Sequence, residues 1–317
     1  MSFRGAGNAG FNDSPMESQS FGSFPNLGMV NGNAGSGKMR APQSNPLNQF
    51  KANFDTFAEK VESLTDTALV RKLQPYIPGI ARFFIVATFY EDSLRILTQW
   101  TDQVFYLHEW KRYPYFFVIL FLFVVSIVMF VGATLLILRK QTNYATGALC
   151  GCIVLQGLVY GLFGGSAFVL RNFSVIGGLL IAFSDSIVQN KTTFGMLPEL
   201  HDKNKQFRGY LLFAGRILIV LMFIGFTFSK SWFTVILTLI CTVGFALGYK
   251  TKMASISLGL ILAFYNITLN NYWFHSQTRR DFLKYEFYQN LSIIGALMLI
   301  TNTGAGDLSI DSKKKVY

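Results

Sequence analysis

Six ionisable residues interrupt otherwise apolar stretches of the chain: Arg82, Glu91, Asp92, Arg95, Asp185 and Arg216. A charge inside a hydrocarbon layer is costly, and such residues are paired or serve a function. Arg82 and Asp185 fall at similar depths in two of these stretches, which predicts a structural ion pair between them. Glu91 and Arg95 are four residues apart, so they can pair along one helix face, which leaves Asp92 without an obvious local partner.

Polar side chains near the C-terminal ends of two apolar stretches predict a binding site. Tyr90, Glu91 and Asp92 lie in the first stretch, and Asn266 and Asn270 lie in the seventh. Carboxylates and amides that converge there could hold a peptide backbone or a free α-amine. The alternative is that the amides join helices through interhelical hydrogen bonds.

Catalytic and metal-binding residues are not recognisable in the chain. The three cysteines lie inside apolar runs, which excludes a disulfide framework, and the three histidines are far apart in sequence. No Ser/His/Asp or Cys/His set and no zinc-ligand spacing is present. We therefore predict neither an enzyme nor a bound metal or cofactor.

The composition points to a membrane protein. Of the 317 residues, 51% are hydrophobic and 14% are charged, against roughly 25% charged in an ordinary soluble domain. The mean hydropathy is +0.36 and the formal net charge is +11. A basic and apolar chain argues against nucleic-acid binding, which needs a solvated basic face. It suits a chain in a lipid bilayer whose basic residues lie in loops.

Eight segments are long and apolar enough to cross a membrane, since a helix needs about 20 residues to do so. The fold class predicted is therefore all-α and polytopic. The predicted spans are residues 77–100, 116–138, 144–170, 173–188, 209–228, 232–249, 254–274 and 287–304.

The two halves of the chain resemble each other. Three pairs of segments align: 81–86 with 215–220, 142–145 with 251–254, and 172–179 with 290–297. Each half would form a four-helix unit, at 74–188 and 209–306, joined by a cytosolic linker at 189–208. Because four crossings return the chain to its starting side, the repeat is predicted to be parallel.

The flanking segments predict which side of the membrane faces the cytosol. Residues 1–49 are rich in Gly, Ser, Asn and Pro without apolar periodicity, which predicts a disordered tail. They contain no signal peptide, so the N-terminus is expected to be cytosolic. The flanks on that side carry more Lys and Arg than the opposite flanks, in agreement with the positive-inside rule. Both termini are therefore predicted to be cytosolic.

Residues 50–73 have apolar residues at spacings of three and four, which predicts an amphipathic helix. Two interpretations remain open. The helix either packs on the rest of the protein or lies in the plane of the cytosolic membrane surface.

The C-terminal tail, 307–317, ends in Lys-Lys-Val-Tyr, with Lys314 and Lys315 at the fourth and third positions from the end. This KKxx ending is typical of a retrieval signal on cytosolic tails of endoplasmic reticulum membrane proteins.

Several longer stretches resemble the surfeit-locus-four family. They are Phe-Tyr-Glu-Asp-Ser at 89–93, Arg-Lys-Gln-Thr-Asn-Tyr-Ala-Thr-Gly at 139–147, Arg-Asn-Phe-Ser at 171–174, Asn-Tyr-Trp-Phe at 271–274, and the KKxx ending. The resemblance covers roughly residues 70–317. It implies two tandem DoxX-like four-helix units. It assigns no residue to ligand binding.

The resemblance also implies a cargo receptor. Such a receptor would bind soluble secretory proteins in the endoplasmic reticulum lumen, enter vesicles with the COPII coat, release cargo in the Golgi and return with the COPI coat. The alternative is a transporter of small solutes or lipids in the early secretory pathway. A transporter usually needs a polar path through the membrane centre. Here the charges lie near helix ends, which favours the receptor.

Overall fold

The computed structural model describes residues 74–189, 198–227 and 232–313, together with a few single positions between 49 and 72. The predicted disordered tail at 1–49 lies outside these residues except for Gln49, and so do Lys314 and Lys315 of the retrieval signal. Most of the predicted amphipathic helix at 50–73 also lies outside them, although the described positions Ala52 and Thr56 are helical.

The described ranges are built from helices, and no strand occurs among them. A short π-helical turn lies at Tyr106–Trp110, and 3₁₀ turns occur at Leu162–Gly164 and Tyr272–Phe274. The α-helices are α1 (Ile77–Thr98), α2 (Trp100–Phe105), α3 (Tyr115–Ile137), α4 (Thr142–Tyr160), α5 (Ser166–Gln189), α6 (Pro198–Thr227), α7 (Trp232–Leu247), α8 (Thr251–Leu269), α9 (Gln277–Thr303) and α10 (Ile310–Lys313).

Two helix boundaries differ from the sequence-based expectation. The apolar stretch 144–170 is broken at Gly161, whose φ of 68° ends α4 in the left-handed conformation that glycine adopts most readily. The chain then makes a 3₁₀ turn before α5 begins at Ser166. At the other boundary, α6 begins at Pro198 and so includes residues that we expected in the linker. Proline suits the first turn of a helix because that turn needs no backbone N–H donor.

Five of the described helical segments are long and apolar enough to cross a membrane: Tyr115–Ile137, Thr142–Tyr160, Phe168–Ile187, Lys205–Gly225 and Thr251–Phe274. Less than half of Tyr115–Ile137 is buried inside the bundle, and Phe116 and Phe123 on it are exposed. Exposed apolar surface of this extent indicates contact with a lipid bilayer. The described part of the chain is thus all-helical and contains several membrane-length helices.

The helices pack in a pattern that relates the two halves. α1 packs closely on α9, α6 packs closely on α5, and α5 contacts α9 between them. On the outside, α3 packs on α1 and α4, while α7 packs on α6 and α8. The first helix of each half therefore has its largest contact with the last helix of the other half.

Small residues allow these two helix pairs to approach closely. Gly295 of α9 lies against Ala81 of α1, where an added Cβ would come within 2.6 Å of the Ala81 carbonyl oxygen. Gly177 of α5 lies against Gly215 of α6, where the same atom would come within 2.8 Å of the Gly215 carbonyl oxygen. Gly177 and Gly295 are equivalent in the sequence alignment of the halves.

The turns that precede α4 and α8 also correspond. Arg139 and Gln141 have φ values of 58° and 48°, and Gly248 and Lys250 have φ values of 70° and 44°. These pairs occupy the same positions relative to the aligned segments 142–145 and 251–254. Left-handed backbone is uncommon outside glycine, so its recurrence at matched positions is what a repeated unit would show.

Candidate functional site

The buried arginines of α1 and α6 hold neighbouring segments in different ways. Arg82 is 1% exposed, and its Nη2 donates a hydrogen bond to Asp185 Oδ2 at the end of α5. Arg216, which is completely buried, donates to the carbonyl oxygens of Phe245 at 3.4 Å and Leu308 at 2.8 Å. The first arginine thus joins α1 to α5, and the second joins α6 to α7 and to the segment after α9.

A cluster of four charges joins α1 to α9. Arg95 Nη2 lies 2.6 Å from Asp92 Oδ1, and Arg95 Nε lies 3.9 Å from Glu91 Oε2. Lys284 Nζ of α9 lies 3.5 Å from Glu91 Oε1. Asp92 therefore has the shorter contact with Arg95, although the sequence alone offered it no partner. Both carboxylates are buried, and the two cations balance them.

A cavity of about 270 Å³ lies beside this cluster, among α1, α2, α4, α5 and α9. Of the five residues predicted to bind a ligand, Asp92 lines it, whereas Tyr90, Glu91, Asn266 and Asn270 are not among its described lining residues. The polar part of the lining consists of Thr88, Asp92, Arg95, Gln103, Gln156, Tyr160, Asn172, Tyr285 and Gln289. The apolar part includes Phe89, Ile96, Ile153, Leu162, Phe168, Val175 and Phe282.

Hydrogen bonds fix most of the polar lining in place. Gln289 Nε2 lies 2.5 Å from the hydroxyl oxygen of Tyr285 and 3.3 Å from Asn172 Oδ1. The guanidinium carbon of Arg95 lies 5.4 Å from the centre of the Tyr285 ring, in cation–π contact. The amide oxygen of Gln289 is buried and accepts no hydrogen bond from any described group. The wall therefore combines an ion pair, an amide oxygen without a described partner and apolar surface.

Tyr90 points away from the cavity lining, toward α3. Its hydroxyl lies 2.8 Å from Thr134 Oγ1, and its ring meets Phe130 edge to face at 5.3 Å.

Asn266 and Asn270 belong to an amide cluster between α8 and α9. Asn266 Oδ1 accepts hydrogen bonds from Asn270 Nδ2 at 2.9 Å and from Asn290 Nδ2 at 3.0 Å. Asn266 Nδ2 donates to the Phe287 carbonyl oxygen at 3.1 Å. These contacts satisfy the Asn266 amide, whereas Asn290 Oδ1 is buried and accepts no hydrogen bond from a described group. Interhelical hydrogen bonds of this kind are what the alternative interpretation of the amides describes. The structure therefore bonds the α8 amides to α9 and the α1 carboxylates to Arg95 and Lys284.

Sequence reasoning missed the uncharged polar part of the cavity. Gln103, Gln156 and Asn172 lie near helix ends on the same side of the bundle, but amides are common both in loops and between helices. A search for amides and tyrosines at the ends of helices on one side of the predicted topology would have found them. Within the described ranges, no three His, Cys, Asp or Glu side chains are grouped so as to hold a metal ion.

Comparison with known proteins gives a consistent set of relatives. The model of the SURF4 family matches residues 55–317. The chain is 69% identical over 301 residues to the Saccharomyces cerevisiae protein named ER-derived vesicles protein ERV29, a match that covers 94% of this chain and 97% of that protein.

More distant relatives match over similar lengths. The Schizosaccharomyces pombe Surfeit locus protein 4 homolog is 37% identical over 274 residues, covering 83% of this chain and 90% of that protein. The Drosophila melanogaster Surfeit locus protein 4 homolog is 32% identical over 276 residues, covering 85% and 98%. No solved structure matches the chain significantly.

Proposed function

The chain belongs to the SURF4 family, and from this premise we propose that it is a transmembrane cargo receptor of the early secretory pathway. It binds soluble secretory proteins in the endoplasmic reticulum lumen and enters vesicles with the COPII coat. It returns from the Golgi with the COPI coat, which reads Lys314 and Lys315. The name of the Saccharomyces relative, a protein of ER-derived vesicles, supports this assignment.

The proposed topology has eight crossings in two parallel DoxX-like units, with both termini in the cytosol. Its support is that α1 and α9, with 22 and 27 residues, are long enough to cross although they carry charges. The described charges in the C-terminal half of α1 are paired with one another and with Lys284. The matched left-handed turns before α4 and α8 support the repeat.

The observation that carries the proposed binding site is the position of the amphiphilic cavity. Its lining comes from the C-terminal ends of α1 and α4 and the N-terminal ends of α5 and α9. On the proposed topology all four ends lie on the lumenal side, where soluble cargo is found. An apolar peptide segment would contact Phe168 and Phe282, while Asp92 and Gln289 would hold its N–H groups.

The roles proposed for the five predicted residues therefore divide into two groups. Asp92 touches the cargo. Tyr90, Glu91, Asn266 and Asn270 stand behind the cavity, where their contacts with α3 and α9 hold its walls.

A pulse-chase measurement of cargo export tests this site. Asp92→Asn keeps the shape of the side chain but removes its charge, and losing a charge-assisted hydrogen bond costs about 1.5–3 kcal/mol. That corresponds to roughly ten- to a hundredfold weaker cargo binding. Soluble cargo should leave the endoplasmic reticulum more slowly, while the receptor keeps its normal amount and location.

Thr98→Val is the matched control on the same helix, since Thr98 is exposed, its hydroxyl donates to a backbone carbonyl oxygen of α1 itself, and it lies outside the cavity lining. Gln289→Leu, which removes the unused amide oxygen, should behave like Asp92→Asn. Normal export in the Asp92→Asn and Gln289→Leu double variant would reject the cavity as the cargo site.

A further inference from the structure

A second cavity, of about 590 Å³, lies at the opposite end of the bundle. It is formed by the N-terminal part of α6, the start of α8 and the loop between α9 and α10. Along α9, Thr303 at this cavity and Gln289 at the first are 14 residues apart, or about 21 Å. Arg208, Lys250 and Lys252 line this second cavity, so it is a basic pocket between helices.

The two carboxylates in the lining already have partners. Asp311 Oδ1 accepts a hydrogen bond from the Lys250 backbone N–H at 2.8 Å. Asp311 Oδ2 accepts from the backbone N–H and the Oγ1 of Thr251, both at 2.8 Å. Asp311 thus caps the start of α8, and Asp307 interacts electrostatically with Arg208. The lining of the cavity therefore contains three cations and two carboxylates.

The cavity also leaves a donor and open space for a ligand. Arg208 Nε is buried and donates no hydrogen bond to any described group. Gly304 has a φ of 81°, and a Cβ added to it would meet no atom within 4 Å, so bare backbone faces open space at this point. Absence of a side chain lets a bulky polar group approach the backbone.

We propose that this cavity binds the phosphorylated head group of an anionic membrane lipid. Lys250 and Lys252 supply point charges and Arg208 supplies a planar donor group, which together suit phosphate oxygens. On the topology of the proposed function, this end of the bundle lies at the cytosolic head-group layer. Basic pockets between transmembrane helices on that side are typical binding sites for phosphorylated lipids.

Lipid binding to the purified full chain tests the proposal. The protein is placed in phosphatidylcholine nanodiscs that contain a small fraction of phosphatidylinositol phosphate, and the bound lipid is measured by native mass spectrometry. The Lys250→Gln and Lys252→Gln double variant should bind this lipid about thirtyfold more weakly than the unmodified chain, from about fivefold per lysine.

The Arg139→Gln and Lys140→Gln double variant is the charge-matched control. It removes two cations from the equivalent turn before α4, which does not contribute to the described lining of this cavity. Its affinity for the lipid should stay near that of the unmodified chain. Arg208→Gln gives an independent test and decides the matter if the lysine variant does not fold, as judged by its thermal unfolding.

Two results would overturn the proposal. One is equal loss of binding in the Lys250/Lys252 variant and in the Arg139/Lys140 control, which would show general charge attraction. The other is displacement of the lipid by an equal concentration of inositol phosphate or inorganic phosphate, which would assign the cavity to a soluble anion. Neither result bears on cargo export, which is measured separately and depends on the cavity at the other end.

Discussion

The pair formed by Arg82 and Asp185 is a buried contact whose two ends come from distant parts of the chain. Removing one partner of such a pair leaves the other charge without compensation in a medium of low dielectric constant. Arg216 avoids this dependence, because it donates to backbone carbonyl oxygens rather than to a carboxylate. The two related positions therefore differ in how a single substitution would affect them.

Asp185→Asn should lower the stability of the protein by about 3 kcal/mol or more, because it leaves the guanidinium of Arg82 unpaired. The expected readouts are a lower thermal unfolding midpoint in detergent and a lower steady-state amount in cells. Asp102→Asn, at an exposed position on α2, serves as the control. Replacing both Arg82 and Asp185 with Leu should recover part of the loss, and equal stability of Asp185→Asn and Asp102→Asn would contradict a structural role.

The contact between Arg82 and Asp185 could be predicted from the sequence, whereas the amides that line the cavity could not. Arg82 and Asp185 drew attention because charges are rare in apolar stretches, and their depths matched. Asn172 and Gln289 gave no such signal, since their meeting depends on how α5 and α9 pack. The same limit applies to Asp92, because the other walls of its cavity come from α2, α4, α5 and α9, whose packing the sequence does not reveal.

At the scale of helices, close packing depends on the absence of side chains at a few positions. The nearest neighbours of a Cβ added to Gly295 are the Ala81 carbonyl oxygen, the Phe84 Cβ and the Ile85 nitrogen, at 2.6, 2.7 and 2.8 Å. None of these atoms is the far end of a flexible side chain. An added methyl group must therefore push α1 and α9 apart.

Gly295→Ala should destabilise the protein by about 1–3 kcal/mol through this overpacking. Gly151→Ala is the matched control inside α4, where an added Cβ meets no atom within 4 Å. There the substitution should be neutral or stabilise by up to about 1 kcal/mol, because alanine favours the helix. Thermal unfolding of both variants in the same detergent compares them, and an equal effect on the midpoint would rule out the proposed contact.

Helix lengths were easier to predict from sequence than helix ends. Apolar length gave the position of α3, but the stretch 144–170 concealed the break at Gly161 because the residues on both sides are apolar. The helix ends there because Gly161 adopts a left-handed backbone conformation. The start of α6 at Pro198 could not be predicted from the sequence, because residues 198–208 are polar enough to resemble a linker.

At the scale of the whole molecule, the proposed topology predicts which loops reach the lumen. A glycosylation sequon with a spacer, inserted between Lys111 and Pro114, should be modified in microsomes, whereas the same insert between Arg139 and Gln141 should not be. The reason is that oligosaccharide transfer occurs only in the lumen. Gel mobility before and after glycosidase treatment reports the result. Modification of the second insert would contradict the assignment of sides.

Retrieval is the second property of the whole molecule that can be tested. Replacing Lys314 and Lys315 with Ser removes both point charges that the coat is proposed to read. The protein should then move from the endoplasmic reticulum to the Golgi or vacuole, as seen by fractionation and microscopy. Replacing Arg139 and Lys140 with Ser is the control for loss of basic charge on the same side. Continued residence of the tail variant in the endoplasmic reticulum would show that the address lies elsewhere.

The packing of α1 on α9 has a consequence for biosynthesis. α1 is among the first described helices to be synthesised, and α9 is the last long one. The main packing partner of α1 is therefore absent until nearly the whole chain has been made. During that time Glu91 lacks Lys284, and Gln99 lacks the Asp281 carboxylate that it later contacts at 2.9 Å. A chain that ends before residue 277 would leave Glu91 without Lys284 and Gln99 without Asp281. Completion of α9 is therefore the step at which α1 gains its main packing partner and Glu91 gains its second cation.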